Sequence, residues 1–209
     1  MKPPRAVTFL AVMSALAFVA LALIASRQYV FPLDYTIQDW VQGGRRPALE
    51  ALMRALTLLG SGWVLLPLAA IGYVLLRRAG HPLGRYVPVA VVGAFLLDGL
   101  SKWLVSRPRP RGTEYGFPSG HTLGATIFFG ALVYVLWTSP IPRAWRWAGT
   151  VVSALLALGV AYSRLYLRAH WASDVAGGLT GGGAYVLLVL AGVERSLRPA
   201  PSDTRRDTA

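Results

Sequence analysis

Cysteine is absent from the 209 residues, and acidic side chains are scarce, with 9 Asp+Glu against 21 Lys+Arg. The missing thiol excludes disulfides, cysteine-ligated zinc, iron–sulfur clusters and any reaction run by a cysteine nucleophile; it leaves the redox compartment open. Charge of either sign is sparse. Asp, Glu, Lys and Arg make up 14% of the chain, against about 25% in a soluble domain. With 55% hydrophobic residues and a mean hydropathy of +0.49, much of the surface must face lipid. No internal repeat is visible.

The formal net charge of +12 could serve nucleic acid. The arginines, however, fall in short segments between apolar runs. That placement favours membrane lipids as partners, through anionic headgroups and an anionic lipid substrate, and no nucleic acid. Part of the arginines need do no more than orient the helices.

A bilayer core takes roughly 20 apolar residues of helix. Ala6–Ala25 supplies them without a charge. It exceeds the roughly 7–15 residues of a signal-peptide core, so it reads as an anchor. Further spans are expected at 86–105, 119–137, 147–162 and 171–193. A second span is poorly bounded, since 63–76 alone is short. Before it, residues 27–54 are polar and aromatic. Leu49, Leu52, Met53, Leu56 and Leu59 follow the i, i+3, i+4 spacing of an amphipathic helix lying at the interface. The expected fold is all-α: a bundle of six transmembrane helices with that interfacial helix between the first two. One domain would cover 1–193, followed by a polar, disordered tail at 194–209. Gly177, Gly178, Gly181 and Gly182 form small-xxx-small pairs that admit a close neighbour.

Six spans put both termini on one side. The Lys and Arg then divide eleven to ten, which decides nothing. With the clusters at 102–111 and 164–168 set aside, only Arg27, Arg45, Arg46 and Arg54 stand opposite the termini. Cytoplasmic termini are then favoured.

Three polar clusters interrupt the apolar chain: Lys102 with Arg107, Arg109 and Arg111; Pro118-Ser119-Gly120-His121; and Ser163-Arg164 with His170 and Asp174. Counting through the spans, all three fall on one face of the membrane. Lys102, Arg109 and Arg164 are donors suited to phosphate oxygens. Ser119-Gly120 opens a helix whose free N–H groups favour an anion. His170 and Asp174 stand i, i+4 on one helix face, where a carboxylate can hold one ring nitrogen and leave the other to attack. Asp98, four residues before Lys102, is expected to fix that lysine. Arg107, Arg111 and Arg168 adjoin motif positions and could draw a headgroup inward. Arg77, Arg78, Arg143 and Arg146 read as snorkelling residues, His81 and Glu114 as solvated loop residues, and the tryptophans at span ends as an aromatic belt.

Lys102-x6-Arg109-Pro110, Pro118-Ser119-Gly120-His121 and Ser163-Arg164-x5-His170-x3-Asp174 resemble, in order, the three motifs of the type 2 phosphatidic acid phosphatase superfamily. The resemblance implies a membrane enzyme that hydrolyses a lipid phosphate or diphosphate without metal or cofactor. His170 would be the nucleophile, forming a phosphohistidine. Asp174 would orient it, and His121 would serve as the acid and then the base. Lys102, Arg109, Arg164, Ser119 and Gly120 would hold the phosphoryl group. Undecaprenyl diphosphate, phosphatidylglycerophosphate and phosphatidate are the substrates implied, with the site outward on a bacterial cytoplasmic membrane. Two rivals remain open: a phosphotransferase that passes the phosphoryl group to another acceptor, and a non-catalytic lipid-binding or transport protein. The soluble haloperoxidase branch fits least. Oligomeric state is not legible.

Overall fold

The computed structural model describes residues 5–112 and 115–197. The elements are α1 (Arg5–Ala25), α2 (Pro32–Gly43), α3 (Pro47–Leu58), α4 (Gly62–Arg78), a 3-10 turn (Pro82–Arg85), α5 (Val87–Val105), α6 (Gly120–Thr138), α7 (Arg143–Tyr166) and α8 (Ala172–Ser196). No strand occurs among the described residues. In lipid, backbone N–H and C=O groups must be satisfied within the segment, and long apolar runs therefore become helices. Leu10, Leu16 and Leu23 of α1, Phe95 and Leu100 of α5, and Leu155 and Leu158 of α7 point outward, as side chains facing lipid tails do.

α8 is the most enclosed helix, because its glycines remove the side chains that would hold neighbours off. Gly178 lies against the Ser119 carbonyl and Thr122 of α6, and Gly182 against the Leu123 carbonyl and Thr126 one turn on. Gly181 faces Phe18 of α1, and Gly177 faces Phe117 in the loop before α6. The small-residue pattern thus serves two neighbours at once. Leu123, Ile127 and Val186 fill the α6–α8 seam.

Five helices are long and apolar enough to cross a bilayer, and α3 with α4, bent by 44°, make a sixth when taken as one span. Packing clarifies that second span. Ala25 at the end of α1 packs with Val105 at the end of α5 and with Phe117, so the chain leaves α1 at the level of the polar clusters. Gly60, in the α3–α4 break, lies against the backbone and Cβ of His121. At the far end of α4, Leu76 and Arg77 meet Gly84 in the turn that leads into α5. α4 therefore covers the same depth as α5, and its 17 residues give a length of about 25 Å.

The segment before α4 differs from the sequence expectation. It holds two helices, α2 and α3, where one amphipathic helix was expected. α2 was hidden because its buried positions are Asp34, Gln38 and Val41, two of them polar, while Leu33, Tyr35 and Trp40 are exposed. Of the expected stripe on α3, Met53 is buried and Leu56 packs beside it against Tyr166 and Leu167; Leu49 and Leu52 are exposed. α7 extends beyond 147–162 at both ends, and α8 runs through Ser196 into the expected tail. Residues 198–209, with Arg198, Arg205 and Arg206, lie outside the described residues, as do Lys2 and Glu114.

Candidate active site

The C-terminal ends of α5 and α7 and the N-terminal ends of α6 and α8 meet at one rim of the bundle. A backbone bond ties two of them: Ser119 N–H, at the N-cap of α6, donates to the Asp174 carbonyl (2.9 Å). The His170 N–H in turn donates to the Arg164 carbonyl at the end of α7 (3.3 Å). Gly116, buried, sits against the Arg107 carbonyl and the Asp174 carboxylate.

His170 is 1% exposed and Asp174 fully buried. Asp174 Oδ2 accepts the Trp171 N–H (3.0 Å), as an acid in the first turn of a helix does, and lies 3.6 Å from His170 Nδ1. That distance exceeds a hydrogen bond, and Nδ1 has no bonded partner among the described residues. Hydrogen bonds at such sites are commonly long without ligand and tighten once one is bound. Burial pushes the His170 imidazole below its ordinary value of 6.5; Asp174 opposes this, while Arg164 and Arg109 add to it. The neutral ring, with a lone pair to offer, is the form at neutral pH.

Lys102, in the last turn of α5, pairs with Asp98 (Nζ–Oδ2 2.6 Å), as expected from their spacing. Both lie against Gly120, where an added Cβ would stand 2.8 Å from Asp98 Oδ1 and 3.0 Å from Lys102 Nζ. Glycine here leaves room for both side-chain tips to close on this helix start. Arg164 donates from Nη1 to Thr57 Oγ1 of α3 (2.6 Å) and keeps Nε unpartnered among the described residues. Two expected phosphate ligands are placed differently. Arg109 is turned aside in its loop, bonded to the Tyr115 carbonyl at 3.2 and 3.4 Å. Ser119 is fully buried, with its N–H on the Asp174 carbonyl and its Oγ accepting from Thr122. The amides at the start of α6 open to a ligand are thus those after Ser119.

A cavity of about 590 Å³ leads from this rim. Lys102, Asp98, Gly120 and His121 form its polar end; Leu65, Phe95, Phe128, Leu76 and Leu190 carry it on between α4, α5, α6 and α8. Among the described residues no group of three His, Cys, Asp or Glu is placed to hold a metal ion.

The chain is 31% identical to the undecaprenyl-diphosphatase of Sulfolobus acidocaldarius over 142 residues, 62% of this chain and 64% of that one. It therefore spans slightly under two thirds of that relative's length. It is 29% identical to phosphatidylglycerophosphatase B of Bacillus subtilis over 176 residues, 79% of this chain and 85% of that one. The crystal structure of a transmembrane PAP2 type phosphatidylglycerolphosphate phosphatase from Bacillus subtilis shares the fold, with TM-score 0.76 at 24% identity over 88% of this chain and 97% of that one. Aquifex aeolicus LpxE shares it at TM-score 0.59 and 22% identity, over 77% of this chain and 96% of that one. A family model described as the PAP2 superfamily matches residues 111–198, which carry the second and third clusters. Over that segment the chain is similar to the PAP2 superfamily.

Three polar residues around the site, Asp34, Ser173 and Thr57, escaped the sequence reading, and Arg107 is placed differently from it. Arg107 does not reach outward for a headgroup. It is fully buried, donating to Asp174 Oδ1 (3.0 Å), Asp34 Oδ2 (2.9 Å) and Ser173 Oγ (2.7 Å). Asp34 and Ser173 complete that network, and Thr57 supports Arg164. Proline followed by an acid in Pro32-Leu33-Asp34 signals a helix start and could have revealed α2, though not its partner. Three other residues also differ from expectation. His81 is not merely solvated: its Nδ1 accepts the Leu83 N–H and its Nε2 meets Thr138 Oγ1 at 2.9 Å. Arg146 holds the carbonyls of Ile141 and Ser139. Trp171, read as a belt residue, donates from Nε1 to the Pro108 carbonyl (3.0 Å) and so pins the arginine loop.

Proposed function

We propose that this chain is a PAP2-type, membrane-embedded hydrolase of lipid phosphates or diphosphates. The observation that carries the reading is the cavity, which joins Lys102, Gly120 and His121 at the ends of α5 and α6 to an apolar passage between α4, α5, α6 and α8. A phosphorylated headgroup fits the polar end and a hydrocarbon tail the remainder, a combination that a water-soluble phosphate ester would leave half unused.

The chemistry follows from the placement of the side chains. Lys102, Arg164, the amides opening α6 and Arg109, swung from Tyr115, hold the phosphoryl oxygens and stabilise their charge as the loose transition state forms. His170 attacks phosphorus through Nε2 while Asp174 takes up the positive character at Nδ1–H. The bond from phosphorus to the lipid oxygen breaks, and His121 protonates that oxygen. Water then attacks the phosphohistidine, His121 removes its proton, the P–N bond breaks and inorganic phosphate leaves. The scheme calls for no metal. The arginine distribution supports cytoplasmic termini with the site on the outer face of the membrane, and one domain over 1–193.

The names of the relatives make undecaprenyl diphosphate and phosphatidylglycerophosphate the first substrates to assay, with phosphatidate third. Phosphate release from these lipids by the detergent-solubilised protein, with chelator present, tests the proposal. Release from at least one, lost in His170→Ala, is expected. No release from any, or full activity of His170→Ala, overturns hydrolysis through that histidine. A second labelled lipid in place of free phosphate would indicate transfer to another acceptor.

A further inference from the structure

Asp34 lies on α2, outside every motif, yet it is 2% exposed and its carboxylate receives four donors. Oδ2 accepts from Phe31 N–H (3.1 Å), Arg107 Nη2 (2.9 Å) and Ser173 Oγ (2.7 Å), and Oδ1 accepts from Ser173 N–H (2.7 Å). Ser173 immediately precedes Asp174. Arg107, fully buried, spans the two acids with its remaining Nη1 on Asp174 Oδ1. Asp34 and Asp174 occupy matching places, each in the first turn of its helix and each accepting the N–H three residues before it. One guanidinium thus ties the starts of α2 and α8 together.

We propose that Asp34 is a positioning residue for the nucleophile: through Arg107 and Ser173 it sets the carboxylate of Asp174 and so the orientation of the His170 ring. The proposal rests on the reading of His170 as nucleophile. Burying a lone guanidinium is costly unless its charge is fully met. With two carboxylates, the charge of Arg107 is shared and Asp174 retains enough negative character to polarise His170 Nδ1–H. Without the Asp34 charge, the guanidinium draws Asp174 Oδ1 alone. The carboxylate then tilts away from the ring and its pull on the ring proton weakens. Asp34 bonds only Phe31, Arg107 and Ser173, none of them assigned to hold the phosphoryl group. The outward face of α2, with Leu33, Tyr35 and Trp40 exposed, would place this support at the membrane surface.

The test compares Asp34→Asn, which keeps shape and loses charge, with Gln38→Leu. Gln38 anchors α2 to the Leu165 carbonyl (3.2 Å) without touching the ion network. Steady-state kinetics on a hydrolysed lipid phosphate are combined with acid-quench trapping of the labelled phosphoenzyme and melting in detergent. Asp34→Asn is expected to lower kcat and the rate of phosphoenzyme formation about 10²-fold at near-constant KM. Gln38→Leu is expected to lower the melting temperature and leave kcat within about threefold. If Asp34→Asn is not recovered folded, Ser173→Ala removes the hydroxyl that bridges Arg107 Nη1 and Asp34 Oδ2 and should lower kcat at least about tenfold. Near-normal kcat in the recovered network variant, or equal losses in it and Gln38→Leu, overturns the positioning role. A wild-type phosphoenzyme that persists in His170→Ala instead overturns the nucleophile assignment.

Discussion

Gly178→Ala is a severe test of how α6, which carries His121, is held against α8, which begins two residues after His170. Gly178 lies one turn beyond Asp174, and a Cβ built on it would stand 2.8 Å from the Ser119 carbonyl, 2.8 Å from Thr122 Cβ and 3.1 Å from Leu123 N. Two of these are backbone atoms of α6 that cannot swing aside. Carbon pairs settle at about 3.5 Å or more, so α6 must retreat by about 0.7 Å at its N-terminal end. That end carries His121, and the Ser119 N–H to Asp174 carbonyl bond spans the same gap. Overpacking costs about 1–3 kcal/mol, against at most about 1 kcal/mol gained from the better helix former, so a net loss of up to about 2 kcal/mol is expected. A misplacement near 1 Å can cost about 10²-fold in rate, and kcat should fall at least tenfold. Gly183→Ala is the internal control: its Cβ meets nothing nearer than Ser14 Oγ at 3.9 Å, so the rate should stay unchanged and stability should hold or rise by up to about 1 kcal/mol. Melting in detergent and phosphate release read both variants. A Gly178→Ala protein as stable and as fast as wild type would refute the claim that α6–α8 contact sets the site.

Asp98→Asn frees Lys102 from its 2.6 Å partner and should lower kcat/KM about tenfold, near the worth of one charge-assisted bond; an unchanged value would remove Asp98 from the site. Thr57→Val takes the 2.6 Å bond from Arg164 and should raise KM about fivefold, matching roughly 1 kcal/mol, as a substrate titration would show. The depressed His170 value places the acid limb of kcat/KM below pH 6.5. Arg109→Gln removes one of the charges that lower it, so the limb should move up toward 6.5; a downward move would contradict the assignment. By the same sign, the contribution of this histidine to stability is complete above pH 6.5 and is lost as pH falls below it, because the unfolded ring takes up a proton that the buried ring refuses. Gly124→Leu, at a cavity wall where a Cβ already meets Leu65 at 2.9 Å, should raise KM for long-tailed lipids and spare short ones, as a chain-length series would show.

Much of the site could be read before the fold was known, for a physical reason. Lipid penalises every unpaired polar group, so Lys102, Arg164, His170 and Asp174 stand out against apolar surroundings, and counting spans suffices to bring them to one rim. The i, i+4 spacing likewise foretold the Asp98–Lys102 pair. Arg109 and Ser119 show the limit: spacing names them, but the orientation of one guanidinium and the engagement of one amide depend on loop and helix contacts.

By itself the sequence determined the helices, because long uncharged runs can satisfy their backbone in lipid in few other ways, and it determined which helix ends carry charge, because those ends interrupt the runs. Tertiary structure alone decided that Asp34 on α2 meets Arg107, that Arg107 is buried on Asp174 while Arg109 stays at the rim, and that α4 crosses the bundle at full depth. Those outcomes join segments up to 139 residues apart, and they rest on which donor faces which acceptor once the helices have packed, a matter that local pattern and periodicity do not encode.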